Sequence, residues 1–408
     1  MGPEICRRID ELAEISADPG CLTRIFLSPE QKRASDLVMS WMREAGMDAQ
    51  IDAIGNVVGR YEGATPGLPA LVLGSHLDTV RDAGKYDGML GVVTAIACVG
   101  ALRRDNCRLG FAVEIVGFSD EEGVRFGTTM LGSKAVAGTF DIAALDRLDG
   151  DGIAMTQALR EFGLDPARIE TAARAGDDIL AYVELHIEQG PVLEEKGLAV
   201  GCVTSISGAT RYEVEITGQA GHAGTVPMAA RRDALAAAAA CVLAVEARCG
   251  AEPGLVGTVG RLEVGPGAIN VIPGLARFTI DIRAPDDAQR LRAATDVMLE
   301  IERIARSRGV ALTTRKIHDM AAAPCAAWLM DGIDRAIAAE GIARFRLPSG
   351  AGHDGMAMID LADIGMIFVR CAGGVSHNPA EAITVADAEI GARVLLRFIQ
   401  DFQPKDAS

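Results

Sequence analysis

The sequence predicts an α/β fold: a mixed sheet with helices on both faces, interrupted by a smaller inserted domain of α+β, ferredoxin-like order. Three observations carry this. Apolar runs at 71–73, 110–118, 182–190 and 366–370 read as strands, and each leads into a cluster of polar, ligand-type residues. In an open sheet such clusters gather at the carboxyl edge. Gly88 to Leu102 is small, apolar and uncharged, which suits a helix buried against the sheet. Beyond Gly208 the pattern becomes strand, helix, two strands, helix, strand, the split βαβ arrangement. The boundaries expected are 1–207 and 325–408 for the larger domain and 208–324 for the insertion.

Taken in order, Ile5 to Ile15 has helical apolar spacing, and a second helix over 28–44 opens with Ser28, Pro29 and Glu30. Residues 48–60 read as strand, turn and strand. The stretch 74–92, GSHLDTVRDAGKYDGMLGV, follows a buried strand and presents His76, Asp78 and Asp87. An imidazole and carboxylates in so short a loop can hold a divalent cation, since borderline metals take nitrogen and oxygen ligands together. His76 and Asp87 are candidate ligands. Asp78, two positions beyond His76, is placed to accept the other ring proton and orient the imidazole. One such HxD is also what a solvated loop carries, so the remaining loops decide.

The strand over 110–118 ends in Asp120, Glu121 and Glu122, three adjacent acids that water or a cation must relieve. With a metal present, one glutamate can bind it while its neighbour acts as general base. The run YVELHIEQG, 182–190, is interrupted by Glu184, His186, Glu188 and Gln189. In the insertion, 211–218 reads as a strand, 227–248 as an alanine-rich helix, 255–264 and 277–283 as strands, 286–308 as a helix and 310–317 as a strand. The larger domain then resumes with a helix over 328–340, the segment SGAGHDGMAM, a strand over 366–370 and a glycine turn before His377.

Bulk composition narrows the functions. Forty basic against 56 acidic residues give a net charge of -16, which repels phosphate backbones, and 4% aromatic content leaves few stacking platforms, so nucleic acid is not an expected partner. Nine scattered cysteines without a CxxC pair suit a reducing compartment. The charged N-terminus lacks a signal-peptide core, and the apolar run 234–245 is too short to span a bilayer. A cytoplasmic protein with no membrane partner is expected.

The motifs GSHLDTV, KYDGMLGV, SDEEGVRFGTTMLGS, ELHIEQG, GQAGHAGTVPM, NVIPG, SGAGHD and GGVSHNPAE, in this order from about residue 20 to residue 400, closely resemble the hydantoinase/carbamoylase branch of the M20 family of metal-dependent amidohydrolases. The resemblance implies a zinc-peptidase-like catalytic domain with a lid and dimerisation domain inserted in it. It implies two divalent ions per subunit, zinc or manganese, with cobalt or nickel as substitutes. Asp87 would bridge them, His76 and His186 would hold one, and Glu122 and His377 the other. Glu121 would be the general base, with Asp78 beside it, and His222 the donor to the oxyanion. Gln189, His222, Asn270, Arg283 and His353 would contact substrate, Arg283 through a planar fork suited to carboxylates. A histidine at 186 and the short gap from His76 to Asp87 favour ureido substrates over dipeptides.

His222, Asn270 and Arg283 fall in the insertion, so a closing hinge motion and a homodimer through the inserted domain are expected, with His222 reaching either its own or the partner's site. The expected reaction is hydrolysis of a ureido C–N bond in a small carboxylate substrate. Allantoate comes first, N-carbamoyl-L-amino acids second and 3-ureidopropionate third. A periplasmic-type solute-binding protein would also close on a ligand, but it would need an export signal and no ligand cage. The intact Glu121 argues against an inactive homologue.

Overall fold

The computed structural model describes residues 1–405. The chain divides into two compact units. One comprises Met1–Thr204, Pro324–Leu347 and the chain from His353 onward; the other comprises Ser205–Ala323 and Pro348–Gly352. The second unit thus takes in a short stretch, 348–352, that the expected boundaries leave with the first. Hydrogen bonds tie it there: Ser207 N donates to the Ser349 carbonyl, and Arg283 donates to that of Gly350.

In the first unit a mixed sheet runs, in spatial order, Asp48–Ile51, Val57–Tyr61, Ala112–Phe118, Ala70–His76, Ile179–Ile187, Ile364–Val369 and Val200–Ile206. Ala112–Phe118, Ala70–His76, Ile179–Ile187 and Ile364–Val369 are parallel to one another, and the strands flanking them are antiparallel. Every residue of Ala70–His76 and Ala112–Phe118 is buried, as strands covered on both faces require. Parallel strands end on the same side, so the loops after His76, Phe118, Ile187 and Val369 share one edge. The apolar helix Met89–Arg104 and the closing helix Val385–Asp401 build the main core with Leu71, Leu73, Leu185 and Val369.

The helix Pro29–Glu44 starts where expected because the Ser28 side chain accepts from Gln31 N, with Pro29 in the first turn. Short helices over Leu131–Val136 and Met155–Phe162 form a separate core with Phe26 and Phe126 that the sequence reading does not anticipate.

In the second unit the sheet order is Leu262–Gly265, Leu275–Ala284, Gly208–Thr217, Ala311–Met320, all antiparallel, with Val256–Thr258 beside Leu275–Ala284. With helices Ala234–Cys249 and Asp287–Arg308 this gives the expected split βαβ order. Along Leu275–Ala284 the even-numbered residues are buried against the helices, while Arg277, Asp281 and Arg283 lie on the opposite face.

Two expectations are corrected here. The alanine-rich helix begins at Ala234, because the Asp233 side chain caps Ala236 N, and Met228–Ala230 forms only a 3-10 turn. Arg231 donates to the carbonyls of Val226 and Ala223, which holds that segment off the helix axis. The strand expected over 255–264 is two, Val256–Thr258 and Leu262–Gly265. Among the described residues no helix is long and apolar enough to cross a membrane.

Candidate metal centre

The shared edge brings four predicted ligands around the carboxylate of a fifth, Asp87. Asp87 Oδ1 lies 3.3 Å from His76 Nε2 and 3.1 Å from His186 Nε2. Its Oδ2 lies 3.2 Å from His377 Nε2, which is 3.5 Å from Glu122 Oε1. The two oxygens of Asp87 therefore face two ligand groups, His76 with His186 and His377 with Glu122. Within each group, counting Asp87, the ligand atoms lie within 4.8 Å of one another. Glu121 adjoins both, since one of its oxygens falls within the same distance of His76 and Glu122.

Donor chemistry decides whether these residues fit cations. His76 Nδ1 is 3.0 Å from the Asp78 carbonyl and His186 Nδ1 is 2.9 Å from that of Ile187. Carbonyls only accept, so each Nδ1 carries a proton, and in the neutral ring Nε2 presents a lone pair to Asp87. With no cation present Nε2 must take up a proton to face the Asp87 oxygen, whereas a divalent ion takes the place of that proton and receives the lone pair as a ligand bond. The residues fit divalent metal ions.

Asp78 does something other than expected. Its carbonyl, rather than its carboxylate, meets the His76 ring; the carboxylate is 3.6 Å away. That carboxylate accepts the amides of Glu121 at 2.9 Å and Glu122 at 3.2 Å, so it ties the loop of His76 to the loop of the two glutamates. Other clamps were not foreseen. The backbone of Ser119 is held by Asn56, which accepts from its amide, and by Gln31, which donates to its carbonyl. Arg24, fully buried, donates to the carbonyls of Leu77, Leu12 and Ile15 and fixes the chain between His76 and Asp78. Burial lowers its guanidinium to about 10, while the charge of Asp78 works the other way.

The electrostatics reflect crowded acids. Burial pushes Glu122 up to about 7, with Asp87 and Asp78 adding to it and His76 and His377 opposing. Burial also holds Glu121 well above the ordinary carboxylate range; Glu122, Asp354 and Asp78 reinforce this, and His76 opposes it. Burial works against charge on His76, but Asp78 and Asp87 outweigh it and raise the imidazole well up. Such a gathering of negative charge in little water is relieved by cations.

Gln189 and His353 lie at the same edge. Gln189 Nε2 donates to Asp87 Oδ2 at 2.9 Å and Ser376 Oγ at 3.1 Å, so here its amide supports the central carboxylate. His353 is buried with its ring edge-on to His186, 4.5 Å between centroids. Glu184, predicted only as part of a polar run, accepts from Ser75 Oγ and Tyr182 OH inside the sheet.

The other three predicted contacts belong to the second unit. His222 is exposed on the ribbon that pairs it with Val271, and the carbonyl of exposed Asn270 accepts from Ala223 N beside it. Arg283 lies apart from them and its fork is taken: Nε and Nη2 donate to Asp281 at 3.1 and 3.0 Å, and Nη1 donates to the Gly350 carbonyl at 2.9 Å. Arg211 also donates to Asp281, leaving two guanidinium groups on one carboxylate beside a cavity of about 560 Å³.

A model of the family described as peptidase family M20/M25/M40 matches residues 72–401. The chain is similar to the N-carbamoyl-L-amino acid amidohydrolase of Geobacillus stearothermophilus, 44% identical over 396 residues that cover 97% of each chain. It is similar to allantoate deiminase 1 of Glycine max, 39% identical over 429 residues, with 98% of this chain and 89% of that one covered. Among solved structures, a hydantoinase/carbamoylase family amidase from Burkholderia multivorans matches with a TM-score of 0.92 at 33% identity, over 98% of this chain and 97% of that one.

Proposed function

The chain belongs to peptidase family M20/M25/M40, in its hydantoinase/carbamoylase branch, and from that premise we propose that it hydrolyses the ureido C–N bond of allantoate, releasing ammonia and carbon dioxide. Metal dependence and hydrolysis of C–N bonds come with the family; the substrate, the two ions and the residue roles are the proposal. The observation that carries it is the division of Asp87 between two ligand groups, with Glu121 beside both.

His76, His186, Asp87, Glu122 and His377 would hold the divalent ions, which when bound would supply Lewis acidity and lower the pKa of water toward neutrality. Glu121 takes the proton of the attacking water as its oxygen bonds to the carbamoyl carbon, then delivers it to the leaving nitrogen as the C–N bond breaks. Asp78 orients Glu121 through its amide. His222 donates to the oxyanion and Arg283 binds the substrate carboxylate, with Asn270, Gln189 and His353 as polar contacts. The carbamate released decomposes to ammonia and carbon dioxide. Closure of the second unit, and a homodimer through it, belong to the same proposal.

N-carbamoyl-L-amino acids are the second reading, favoured by the 44% identity to an amidohydrolase of that name. Both substrates join a ureido group to a carboxylate, so the same anchors serve. Ammonia release from allantoate, a panel of N-carbamoyl-L-amino acids and 3-ureidopropionate, alongside elemental analysis, tests this. Allantoate should give the highest kcat/KM with roughly two divalent ions per chain. A carbamoyl amino acid ahead of it installs the second reading, and no ammonia from any of them overturns both.

A further inference from the structure

Asp87 can serve two cations only if its carboxylate keeps one oxygen toward each ligand group, yet it sits on a long loop between a strand and a helix. Something must fix its rotation. Among the described residues, the groups facing Oδ1 are the rings of His76 and His186. On the Oδ2 side Gln189 Nε2 and Ser376 Oγ donate at 2.9 and 3.0 Å. Ser376 is in turn 2.9 Å from Oε2 of Glu381, whose other oxygen accepts the backbone amides of Tyr86 at 2.8 Å and of Asp87 itself at 3.0 Å.

Glu381 is 3% exposed; one of its oxygens accepts two backbone amides and the other lies against the Ser376 hydroxyl, whose single proton it shares with Asp87 Oδ2, so its partners all fall in two segments: the loop of Asp87 and its own loop, which carries His377. The fit is close, since a Cβ on Gly84 would collide with the Glu381 side chain, so Gly84 leaves room for this carboxylate. His377 has a φ of 54°, a left-handed backbone that costs energy for a non-glycine residue and persists only where surroundings enforce it. Neither Glu381 nor Ser376 is a metal ligand in the reading above, and neither has a part in the proton transfers.

We infer that Glu381 and Ser376 are positioning residues for the metal pair: they lock the Asp87 loop to the His377 loop and hold Asp87 Oδ2 toward the Glu122 and His377 position. The inference rests on the two-ion reading, and its claim is directional. Loss of the clamp disturbs the ion on the Oδ2 side more than the ion between His76 and His186, because the latter pair has its own carbonyl anchors. A residue that merely supported the fold would weaken both ions alike or lower only the unfolding temperature.

The test is a cobalt(II) titration of the full chain, stripped by a chelator, against a chromophoric competitor, with the cobalt absorption spectrum recorded. Wild type should take up two ions in two steps, and His377→Ala identifies which step is the Oδ2 side. Ser376→Ala removes one hydroxyl with little risk to folding, and Glu381→Gln keeps an acceptor for the two amides while removing the charge. Each should weaken that step about 10- to 100-fold, with the other step unchanged and the spectrum altered only as the weakened ion binds. Variants that titrate like wild type, or that lose both steps equally, overturn the inference while leaving the two-ion reading intact. A wild-type chain that takes up only one ion overturns both.

Discussion

The polar side chains proposed for chemistry in the first unit and those proposed for recognition in the second differ in burial, with His377 of the first unit, about half exposed, as the exception. In the first, His76, Asp78, Asp87 and His186 are each no more than 4% exposed and held by carbonyls, amides and one another. In the second, His222 and Asn270 stand on the surface, and Arg283 is engaged with Asp281 and Gly350. Burying charge is expensive unless every group is paired, so a unit that does so fixes its geometry before any substrate arrives. Surface groups cost little and exchange partners readily. The proposal places chemistry among the buried groups and recognition among the surface ones, and each half of that division can be broken separately.

The largest effect is expected at Glu121. Glu121→Gln keeps the backbone amide that Asp78 holds and leaves Glu122 and His377 in place. Turnover should fall at least about a hundredfold with metal content unchanged, as for loss of a general base. Near-normal kcat would remove Glu121 from that role and the fixed half of the comparison with it.

Arg290 is the second unit's exception, a guanidinium only 3% exposed that donates to Asp287, Asp319 and Thr210. Arg290→Met should lower that unit's stability by about 2 kcal/mol, less than for a fully buried pair because its acidic partners reach solvent. Chemical denaturation followed in that unit would measure it, and kcat of the folded variant should hold. A fall in kcat without loss of stability would show that the second unit's framework takes part in turnover.

Arg283→Lys comes next. Lysine offers a point charge in place of a fork, so KM for a carboxylate substrate should rise on the order of tenfold while kcat moves less. Steady-state kinetics with and without the carboxylate on the substrate measures this, and an unchanged KM would place the anchor elsewhere.

What could be read from the sequence follows the same division. Strand-end ligands are legible because chemistry and topology are both local: His76 ends its strand, and Asp87 immediately precedes the helix that covers it. The clamps are not. Asp78 finds its partners 43 and 44 residues away, Arg24 reaches Leu77 53 residues on, and Glu381 meets the amides of Tyr86 and Asp87 from 295 and 294 residues away. Backbone amides have no signature in a sequence, so a residue whose task is to hold them looks like any other polar residue. The start of the alanine-rich helix fails for a related reason: Pro227 suits a first turn, but the cap at Asp233 and the carbonyls held by Arg231 decide where the helix begins.

The smallest expected effect separates the units by pH. Lys316 and Arg290 hold the Asp319 carboxyl down to about 2, with burial opposing them. Its ordinary value is near 4, so between about 4 and 2 the unfolded chain binds the proton first. The charge of Asp319 therefore contributes stability that is fully present above about pH 4 and is lost as pH falls toward 2. Because Asp319 is partly exposed and screened, the contribution should be no more than about 1 kcal/mol. Urea unfolding of wild type and Asp319→Asn between pH 5 and 2 measures it as a difference, so that the acids of the metal centre, which titrate in both proteins, cancel. The gap should be constant at the upper end and close toward the lower. A gap that stays constant to pH 2 would mean that Asp319 contributes through hydrogen bonds and not through charge.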